Sequence, residues 1–215
     1  MSAPEPSRPG RLVVFTGTGT AVGKTWWAAA AARTLLGRGT SVAARKPAQS
    51  FAPDDGATDA DVLGAATGAP PDEVCPRPRW YELPMAPPMA ADALGRPAFT
   101  IADLVAELCW PPFTDVGIVE SAGGPRSPLA HDGDTVDLAV ALAPDALVLV
   151  ADAGLGTVNA VRLAAAALHG IAPMTVAMNR FDGDNDLHRR NREWLVERAG
   201  LDVVDSVEAL LTRIG

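Results

Sequence analysis

The stretch that decides the fold lies near the start of the chain and reads Leu12-Val-Val-Phe-Thr-Gly17-Thr-Gly-Thr-Ala-Val-Gly23-Lys-Thr25. An apolar run ends in a glycine-rich turn, and an alanine-rich stretch with helical character then begins at Lys24. This order of strand, glycine loop and helix is the context that a phosphate-binding P-loop requires. Glycines let successive backbone N–H groups turn towards phosphate oxygens, and the start of the helix adds positive potential. The segment therefore predicts nucleotide binding.

The residue types in this loop suggest a division of roles. Lys24 is expected to contact the outer phosphates, and the hydroxyl of Thr25 is expected to bind Mg²⁺. The spacing is irregular, because five residues instead of the usual four separate Gly17 from the closing Gly-Lys-Thr. The remaining nucleotide-binding candidates are Gly19, Thr20, Ala21, Val22 and Gly23.

Short β-rich runs alternate with helical stretches along the chain, which predicts a doubly wound, mainly parallel α/β sheet with helices on both faces. The predicted strands are Leu12–Thr16, Ser41–Arg45, Val116–Glu120, Ala146–Ala151, Met174–Asn179 and Leu201–Val204. The predicted helices are Lys24–Leu36, Asp59–Ala66, Ile101–Leu108, Thr135–Leu142, Val158–Leu168 and Leu187–Ala199. The proline-rich region Gly68–Pro97 is expected to form a long loop with a short helix around Met89–Ala93.

Composition favours a small-molecule ligand. The 215 residues suit one α/β domain, and we predict a disordered leader at 1–10 followed by a single P-loop domain at 11–215. The net charge of −8 opposes binding to nucleic acid or anionic lipid. No apolar run approaches the roughly 20 residues of a membrane span, and Cys75 and Cys109 lack the spacing of a zinc or disulfide framework. A cytoplasmic location is expected.

Several polar residues stand where predicted strands end, and in an open α/β sheet ligands bind at that edge. Glu120 closes an apolar strand, and Lys46 follows the strand that ends at Arg45. Mg²⁺ prefers oxygen ligands such as the Glu120 carboxylate. Either Asp59 or Asp61 could add a second carboxylate, since an acid at this point is as able to cap a helix as to bind metal.

Two further segments follow strands in the second half of the chain. Gly156–Asn159 opens a predicted helix, whose free N–H groups could hold a carboxylate or could simply be capped. Asn179 ends a strand and begins Asn179-Arg-Phe-Asp182, which looks like the Asn-Lys-x-Asp of GTPases and so leaves the preferred base open. The three histidines, His131, His169 and His188, are scattered, and we expect them to be surface residues.

Taken together, these segments resemble the dethiobiotin synthetases, whose loop reads Gly-Thr-Asp-Thr-x-Val-Gly-Lys-Thr. Lys46-Pro-Ala-Gln-Ser50 is similar to Lys-Pro-Val-x-Ser, Glu120-Ser-Ala-Gly-Gly124 to Glu-Gly-Ala-Gly-Gly, and Leu155-Gly-Thr-Val-Asn159 to Leu-Gly-x-Ile-Asn. A weaker likeness joins Pro84-Met-Ala-Pro87 to Pro-x-Ala-Pro, and another joins Asn179 to the Asn at the end of a strand in that family. The chain departs from the family pattern at Gly19, Ala21, Phe51, Pro88 and Ala160.

The resemblance implies an ATP- and Mg²⁺-dependent ligase of biotin biosynthesis. Such an enzyme forms the urea ring of dethiobiotin from 7,8-diaminononanoate and CO₂, with release of ADP and phosphate. The resemblance selects Asp59 over Asp61 as a metal ligand beside Thr25 and Glu120, and assigns the nucleotide base to Asn179. It names Lys24, Lys46 and Ser50 as catalytic. Substrate binding falls to Thr20, Ser50, Gly156, Thr157, Val158 and Asn159, the last four acting across a homodimer interface.

Two other classes share this style of loop. A P-loop amide-forming synthase of the cobyrinate diamide synthase kind would need a glutamine-hydrolysing domain with its own cysteine, and 215 residues leave little room for one. An ATPase switch of the ParA/MinD kind would place a second lysine near the start of the loop, where Gly17-Thr-Gly19 stands. Both classes stand as alternatives to the function that the resemblance implies.

Overall fold

The computed structural model describes residues 8–215. Its strands are Arg11–Gly17 (β1), Val42–Arg45 (β2), Gln49–Ser50 (β3), Trp80–Tyr81 (β4), Val116–Glu120 (β5), Pro128–Ala130 (β6), Gly133–Asp134 (β7), Ala146–Asp152 (β8), Met174–Asn179 (β9) and Asp202–Val204 (β10). Its α-helices are Lys24–Gly37 (α1), Asp59–Thr67 (α2), Pro71–Val74 (α3), Pro87–Ala93 (α4), Ile101–Ala106 (α5), Thr135–Leu142 (α6), Thr157–Leu168 (α7), Asp186–Glu197 (α8) and Val207–Ile214 (α9).

A six-stranded sheet forms the centre of the fold, with the strand order β10-β9-β8-β1-β5-β2. Every neighbouring pair in it runs parallel. The six predicted strands build this sheet, so the prediction of a doubly wound parallel α/β fold is confirmed. Because β5 lies between β1 and β2, the end of β5 is placed between the P-loop and the segment that follows β2.

Successive side chains of each strand point to opposite faces of the sheet and pack into two separate hydrophobic cores, as expected for a sheet covered on both faces. In β1, Val13 and Phe15 point to the core that α1, α2 and α9 cover. Leu12 and Val14 point to the opposite core, which is covered by helices α4 to α8. Both faces of the sheet are therefore buried, and the packed strands fix the positions of the residues at their ends.

The proline-rich region Gly68–Pro97 is more ordered than the sequence predicts. It contains α3, a short 3₁₀ helix at Arg77–Arg79, β4 and α4, and α4 begins at Pro87 instead of near Met89. Pro71 and Pro87 each stand at the start of a helix, where a missing N–H costs nothing and the fixed φ is favourable. The predicted short helix is therefore confirmed as α4, whereas the expectation that the rest of the region forms only a loop is wrong. The short helix α9 was also not predicted; Ser206 caps it by accepting a hydrogen bond from the N–H of Ala209.

The predicted leader at 1–10 is described only from Arg8 onwards, because residues 1–7 lie outside the described part of the chain. Its last residues pack onto the domain: Pro9 is buried, the N–H of Gly10 donates to the Thr114 carbonyl at 2.9 Å, and Arg8 donates to the Ala143 carbonyl at 2.8 Å. Arg8, Pro9 and Gly10, which fall within the predicted leader, therefore contact the domain. Within residues 8–215, no helix combines the length and apolar character required to cross a membrane.

Candidate nucleotide and reaction site

The P-loop joins β1 to α1 and is held in shape by two close contacts. Gly23 has a left-handed φ of 99°, which favours glycine. A Cβ atom there would also lie 2.2 Å from Nδ2 of Asn179, so the Asn179 side chain would have to move. The Lys24 ammonium donates to the Gly19 carbonyl at 2.8 Å and thus spans the loop. Burial, followed by the nearby Lys46 charge, lowers the pKa of Lys24 to about 8.

Behind the P-loop, side chains from four segments meet in one cluster. The Thr25 hydroxyl lies 2.7 Å from Asp59 Oδ1 and 2.9 Å from Glu120 Oε1. The Lys46 ammonium lies 2.7 Å from Asp59 Oδ2, 2.8 Å from Glu120 Oε1 and 3.1 Å from the Ser121 carbonyl. Lys46 thus directs its three donors at three oxygen acceptors. The sheet order produces this meeting, because Glu120 ends the strand between the P-loop strand and the strand that precedes Lys46.

Charge balance in the cluster depends on Lys46. Burial disfavours its charged form, but the two carboxylates outweigh burial and raise the pKa of Lys46 above its ordinary value. Burial also works against ionised Asp59, yet the Lys46 ammonium and its hydrogen bond hold the pKa of that carboxyl below its usual range. At Glu120, which is fully buried, burial raises the pKa in spite of Lys46. Glu120 is therefore the carboxyl that most needs a neighbouring cation.

The structure separates the roles of the two neighbouring aspartates. Asp61 accepts hydrogen bonds from the Thr58 N–H at 2.8 Å and from the Thr58 hydroxyl at 2.7 Å, and the Thr58 hydroxyl accepts from the Asp61 N–H. This reciprocal arrangement is a capping box at the start of α2. Asp59 points instead at Thr25 and Lys46. Asp61 serves the helix cap, and Asp59 is the acid that faces the P-loop.

The oxygen atoms of this cluster suit Mg²⁺. Glu120 Oε2 is buried and has no hydrogen-bond partner among residues 8–215, and the Thr25 hydroxyl and Asp59 carboxylate lie beside the same residue. Groups of three or more His, Cys, Asp or Glu side chains that could hold a metal do not occur in the described part of the chain. Mg²⁺ needs no such group, since it uses one or two carboxylates together with phosphate oxygens and waters.

A cavity of about 620 Å³ opens at this edge of the sheet, in the size range of small-molecule sites. The site residues predicted from the sequence that border it are Thr20, Ala21, Gly23, Lys24, Thr25, Lys46, Ser50, Asp59 and Glu120. The cavity therefore brings together the two lysines, the proposed metal ligands and Ser50.

Other predicted site residues lie outside this cavity. Asn179 donates to the Val22 carbonyl at 2.9 Å and so contacts the P-loop. Gly156, with φ of 91°, precedes the first turn of α7, which has no side-chain cap. Thr157 is buried with no hydrogen-bond partner for its hydroxyl among the described residues, whereas Asn159 is exposed. Within one chain, Gly156–Asn159 shares the sheet edge but does not border the cavity.

Known proteins and families match this chain over most of its length. A family model described as AAA domain matches residues 11–212. The ATP-dependent dethiobiotin synthetase BioD of Rhodococcus erythropolis (strain PR4) is 37% identical over 203 residues, which cover 92% of this chain and 88% of that protein. The protein of the same name from Rhodococcus jostii (strain RHA1) is also 37% identical, with 92% and 86% covered. The chain belongs to the dethiobiotin synthetase family.

For this member of the dethiobiotin synthetase family, the likeness to solved structures supports only the fold. The signal recognition particle receptor FtsY of Elizabethkingia anophelis superposes with a TM-score of 0.52 at 15% sequence identity. The match covers 95% of this chain and 62% of that chain, so this chain spans less than two thirds of the receptor. A likeness at this level carries no information about substrates.

Sequence reasoning missed two features of the cavity in this family member. The buried Gln49 amide donates to the Thr58 hydroxyl at 3.4 Å and accepts from the Ala60 N–H at 3.0 Å, which ties the segment after Lys46 to the start of α2. Apolar residues also border the cavity, namely Phe51, Pro84, Met85, Ala86 and Pro87. The likeness of Pro84–Pro87 to Pro-x-Ala-Pro was a signal for this segment, but spacing alone did not connect it to the site.

Proposed function

We propose that this chain is an ATP-dependent dethiobiotin synthetase, which makes dethiobiotin from 7,8-diaminononanoate, CO₂ and ATP and releases ADP and phosphate. The observation that carries the proposal is the placement of Lys24, Lys46 and Ser50 in one cavity beside the P-loop. Relatives of this name that align along most of the chain support it. They favour neither the amide-forming synthase nor the ATPase switch.

The proposed reaction has three steps that balance in atoms and charge. One amine nitrogen attacks the carbon of CO₂, forms a C–N bond and loses a proton, which gives a carbamate. A carbamate oxygen then attacks the γ-phosphorus of ATP, and the bond from that phosphorus to the bridging oxygen breaks to release ADP. The neighbouring amine attacks the carbamoyl carbon, loses its proton and expels phosphate, and this closes the five-membered urea.

No side chain has to act as a nucleophile in this sequence, so the protein's contribution is positioning and charge. The Lys46 ammonium supplies a buried positive charge for the carbamate. The Ser50 hydroxyl, which donates to the Met85 carbonyl in this structure, would supply a donor to the carbamate by turning its proton towards the substrate. Lys24 holds the outer phosphates and stabilises the negative charge that spreads over the transferred group. Thr20 borders the same cavity, and we assign it to contact with the diamine.

Mg²⁺ would be held by Thr25, Asp59 and Glu120 together with phosphate oxygens. When bound, it supplies positive charge that offsets the negative charge of the triphosphate. The unpartnered Oε2 atom of Glu120 supports this assignment. Asn179, which contacts the P-loop, is the residue we assign to the nucleotide base.

We place the carboxylate end of the diamine on Gly156–Asn159 of a second subunit. Leu155 is 92% exposed and Asn159 is also exposed, in keeping with a surface that another chain covers, and two-fold dimers are the commonest closed assembly. Mixing inactive Lys46→Ala protein with an inactive variant altered at 156–159 should restore activity, because subunit exchange creates one site with both elements intact. If subunits exchange and no activity returns, the shared site is wrong.

A cytoplasmic location completes the proposal. Cys75 and Cys109 are both free thiols, as is usual in a reducing compartment. A small-molecule substrate also agrees with the net charge of −8, which does not attract nucleic acid.

One experiment tests the reaction. The protein is mixed with 7,8-diaminononanoate, ¹³C-bicarbonate and MgATP, and the products are analysed by mass spectrometry. We expect dethiobiotin that carries one ¹³C in its carbonyl, together with one ADP for each ring formed. ATP hydrolysis that does not depend on the diamine would point to an ATPase switch, and amide formation with added ammonia would point to an amide synthase; either result without dethiobiotin overturns the proposal.

A further inference from the structure

The cavity has an apolar side that the proposed chemistry leaves without a role. Phe51, Pro84, Met85, Ala86 and Pro87 border it, and we refer to these residues as the apolar wall. Met85 is 44% exposed, and Phe51 is half-buried. Charged groups and an aliphatic surface therefore share one space, which matches a ligand with a charged end and an apolar body.

The apolar wall is built into the fold by contacts on both of its sides. The Ser50 hydroxyl donates to the Met85 carbonyl at 2.5 Å, and the Phe51 N–H donates to the Tyr81 carbonyl at 3.0 Å. The Phe51 ring meets the Trp80 ring edge-on, with centroids 6.0 Å apart. The Trp80 indole N–H in turn donates to the Cys75 carbonyl at 2.7 Å. A surface held in this way can bind a chain at little ordering cost.

The position of the wall follows from the position of Ser50. On the proposed function, the two amines react close to Lys46 and Ser50. Phe51 is the residue next to Ser50, and Met85 accepts the Ser50 hydrogen bond. The methylenes that follow the amine-bearing carbons must therefore pass along Phe51 and Met85.

Resting on the proposed function, we infer that Phe51 and Met85 form the subsite for the aliphatic chain of the substrate and select long-chain vicinal diamines over short ones. The selectivity comes from burial of methylene groups, each of which raises affinity by a factor of about four when it leaves water. Met85 adds an unbranched side chain that adapts to the shape of the chain it covers.

Two carboxylate-free ligands isolate this contact from the binding of the substrate's carboxylate. 2,3-Diaminooctane keeps the vicinal amines and the aliphatic chain, whereas 2,3-diaminobutane keeps only the amines. Each is measured as a competitive inhibitor against 7,8-diaminononanoate, for the wild type and for Phe51→Ala and Phe51→Leu. Phe113→Ala is the matched control, because Phe113 is 95% exposed and precedes β5, at the end of that strand away from Glu120 and the cavity.

We expect Phe51→Ala to raise the KM for 7,8-diaminononanoate and the inhibition constant of 2,3-diaminooctane roughly 15-fold, as the loss of two methylene contacts at about fourfold each would. The inhibition constant of 2,3-diaminobutane and the KM for ATP should stay the same within experimental error. Phe51→Leu, which keeps an apolar side chain, should lie between the wild type and Phe51→Ala. The control should match the wild type.

The outcomes separate this inference from the function on which it rests. Suppose that dethiobiotin forms, but Phe51→Ala changes the inhibition constants of both diamines equally or changes neither. That result would overturn the subsite and leave the function intact. If Phe51→Ala does not fold, Phe51→Leu decides the matter by the same ratio of inhibition constants. Absence of dethiobiotin formation by the wild type would overturn the proposed function and, with it, this inference.

Discussion

Replacing Lys46 by methionine should cost the protein a large part of its stability. The Lys46 side chain is 2% exposed and its ammonium group reaches Asp59 at 2.7 Å and Glu120 at 2.8 Å. Methionine fills similar space without charge, so the change leaves two like charges together, one of them fully buried. The expected effect is therefore electrostatic and not a packing defect: Glu120 must either keep a poorly compensated charge or take up a proton, with Lys24 as the remaining nearby cation.

The magnitude follows from the burial of each partner. Breaking a buried ion pair by removing one member costs about 3–5 kcal/mol in measured cases. Asp59 is 41% exposed and water screens its charge, so we discount its share, whereas Glu120 is completely buried and should account for most of the loss. We expect the free energy of unfolding to fall by about 3 kcal/mol, against a total of about 5–15 kcal/mol for a domain of ordinary stability.

Urea unfolding in the presence of EDTA, followed by circular dichroism, measures this loss without interference from metal. The double variant Lys46→Met/Glu120→Gln should recover at least half of it, because it removes the unpaired buried charge as well. Arg190→Met is the control, since Arg190 pairs with Asp186 on the surface of α8 and should contribute nothing measurable. A loss below about 1 kcal/mol for Lys46→Met, or a double variant no more stable than the single one, would refute the reasoning.

Three further predictions concern other parts of the site and the fold. Lys24→Ala should weaken ATP binding roughly tenfold or more, since a charge-assisted hydrogen bond to phosphate is lost; calorimetry that shows unchanged affinity in a folded variant would contradict the assignment of the P-loop lysine. Gln49→Leu should raise the Mg²⁺ concentration needed for half-maximal activity several-fold, because the start of α2, which carries Asp59, loses two hydrogen bonds to Gln49. The variant should also lose about 1–3 kcal/mol of stability, since the buried Ala60 N–H is left without an acceptor; an unaltered Mg²⁺ titration in the folded variant would count against this positioning role. At Asp202, burial raises the pKa, but the hydrogen bonds from Arg213 and Thr175 outweigh burial and leave the pKa of this carboxyl below its usual range. The stability that Asp202 contributes is therefore fully present above the unfolded pKa of about 3.9, and it is lost as pH falls through the folded pKa. Wild type should therefore lose more stability than Asp202→Asn between pH 6 and pH 3, by only about 0.5 kcal/mol because the side chain is 40% exposed; equal pH profiles would show that the pair with Arg213 is inert.

Local chemistry was enough to recognise the P-loop and the strands of the central sheet. A strand that is buried on both faces needs an unbroken apolar run, and a phosphate-binding turn needs glycines such as Gly23, so each leaves a mark within a few consecutive residues. For the same reason Lys46 and Glu120 could be singled out, since a charged residue at the end of an apolar strand is visible without any partner. Proline in Gly68–Pro97 was misread, because the same residue breaks a helix from inside and begins one at its first position.

Only the tertiary structure decided which residues meet. Thr25 lies 34 positions from Asp59 and 95 from Glu120 along the chain, and their contact exists because β5 is inserted between β1 and β2. The choice between Asp59 and Asp61 likewise depends on the direction of α2, whose capping box takes one acid and leaves the other facing the P-loop. The apolar wall is set in the same way, since the hydrogen bonds from Ser50 to Met85 and from Phe51 to Tyr81 bring separate segments to one cavity. Such contacts carry no periodic signal, because they arise from the order of strands in the sheet and not from the spacing of residues within one strand or helix.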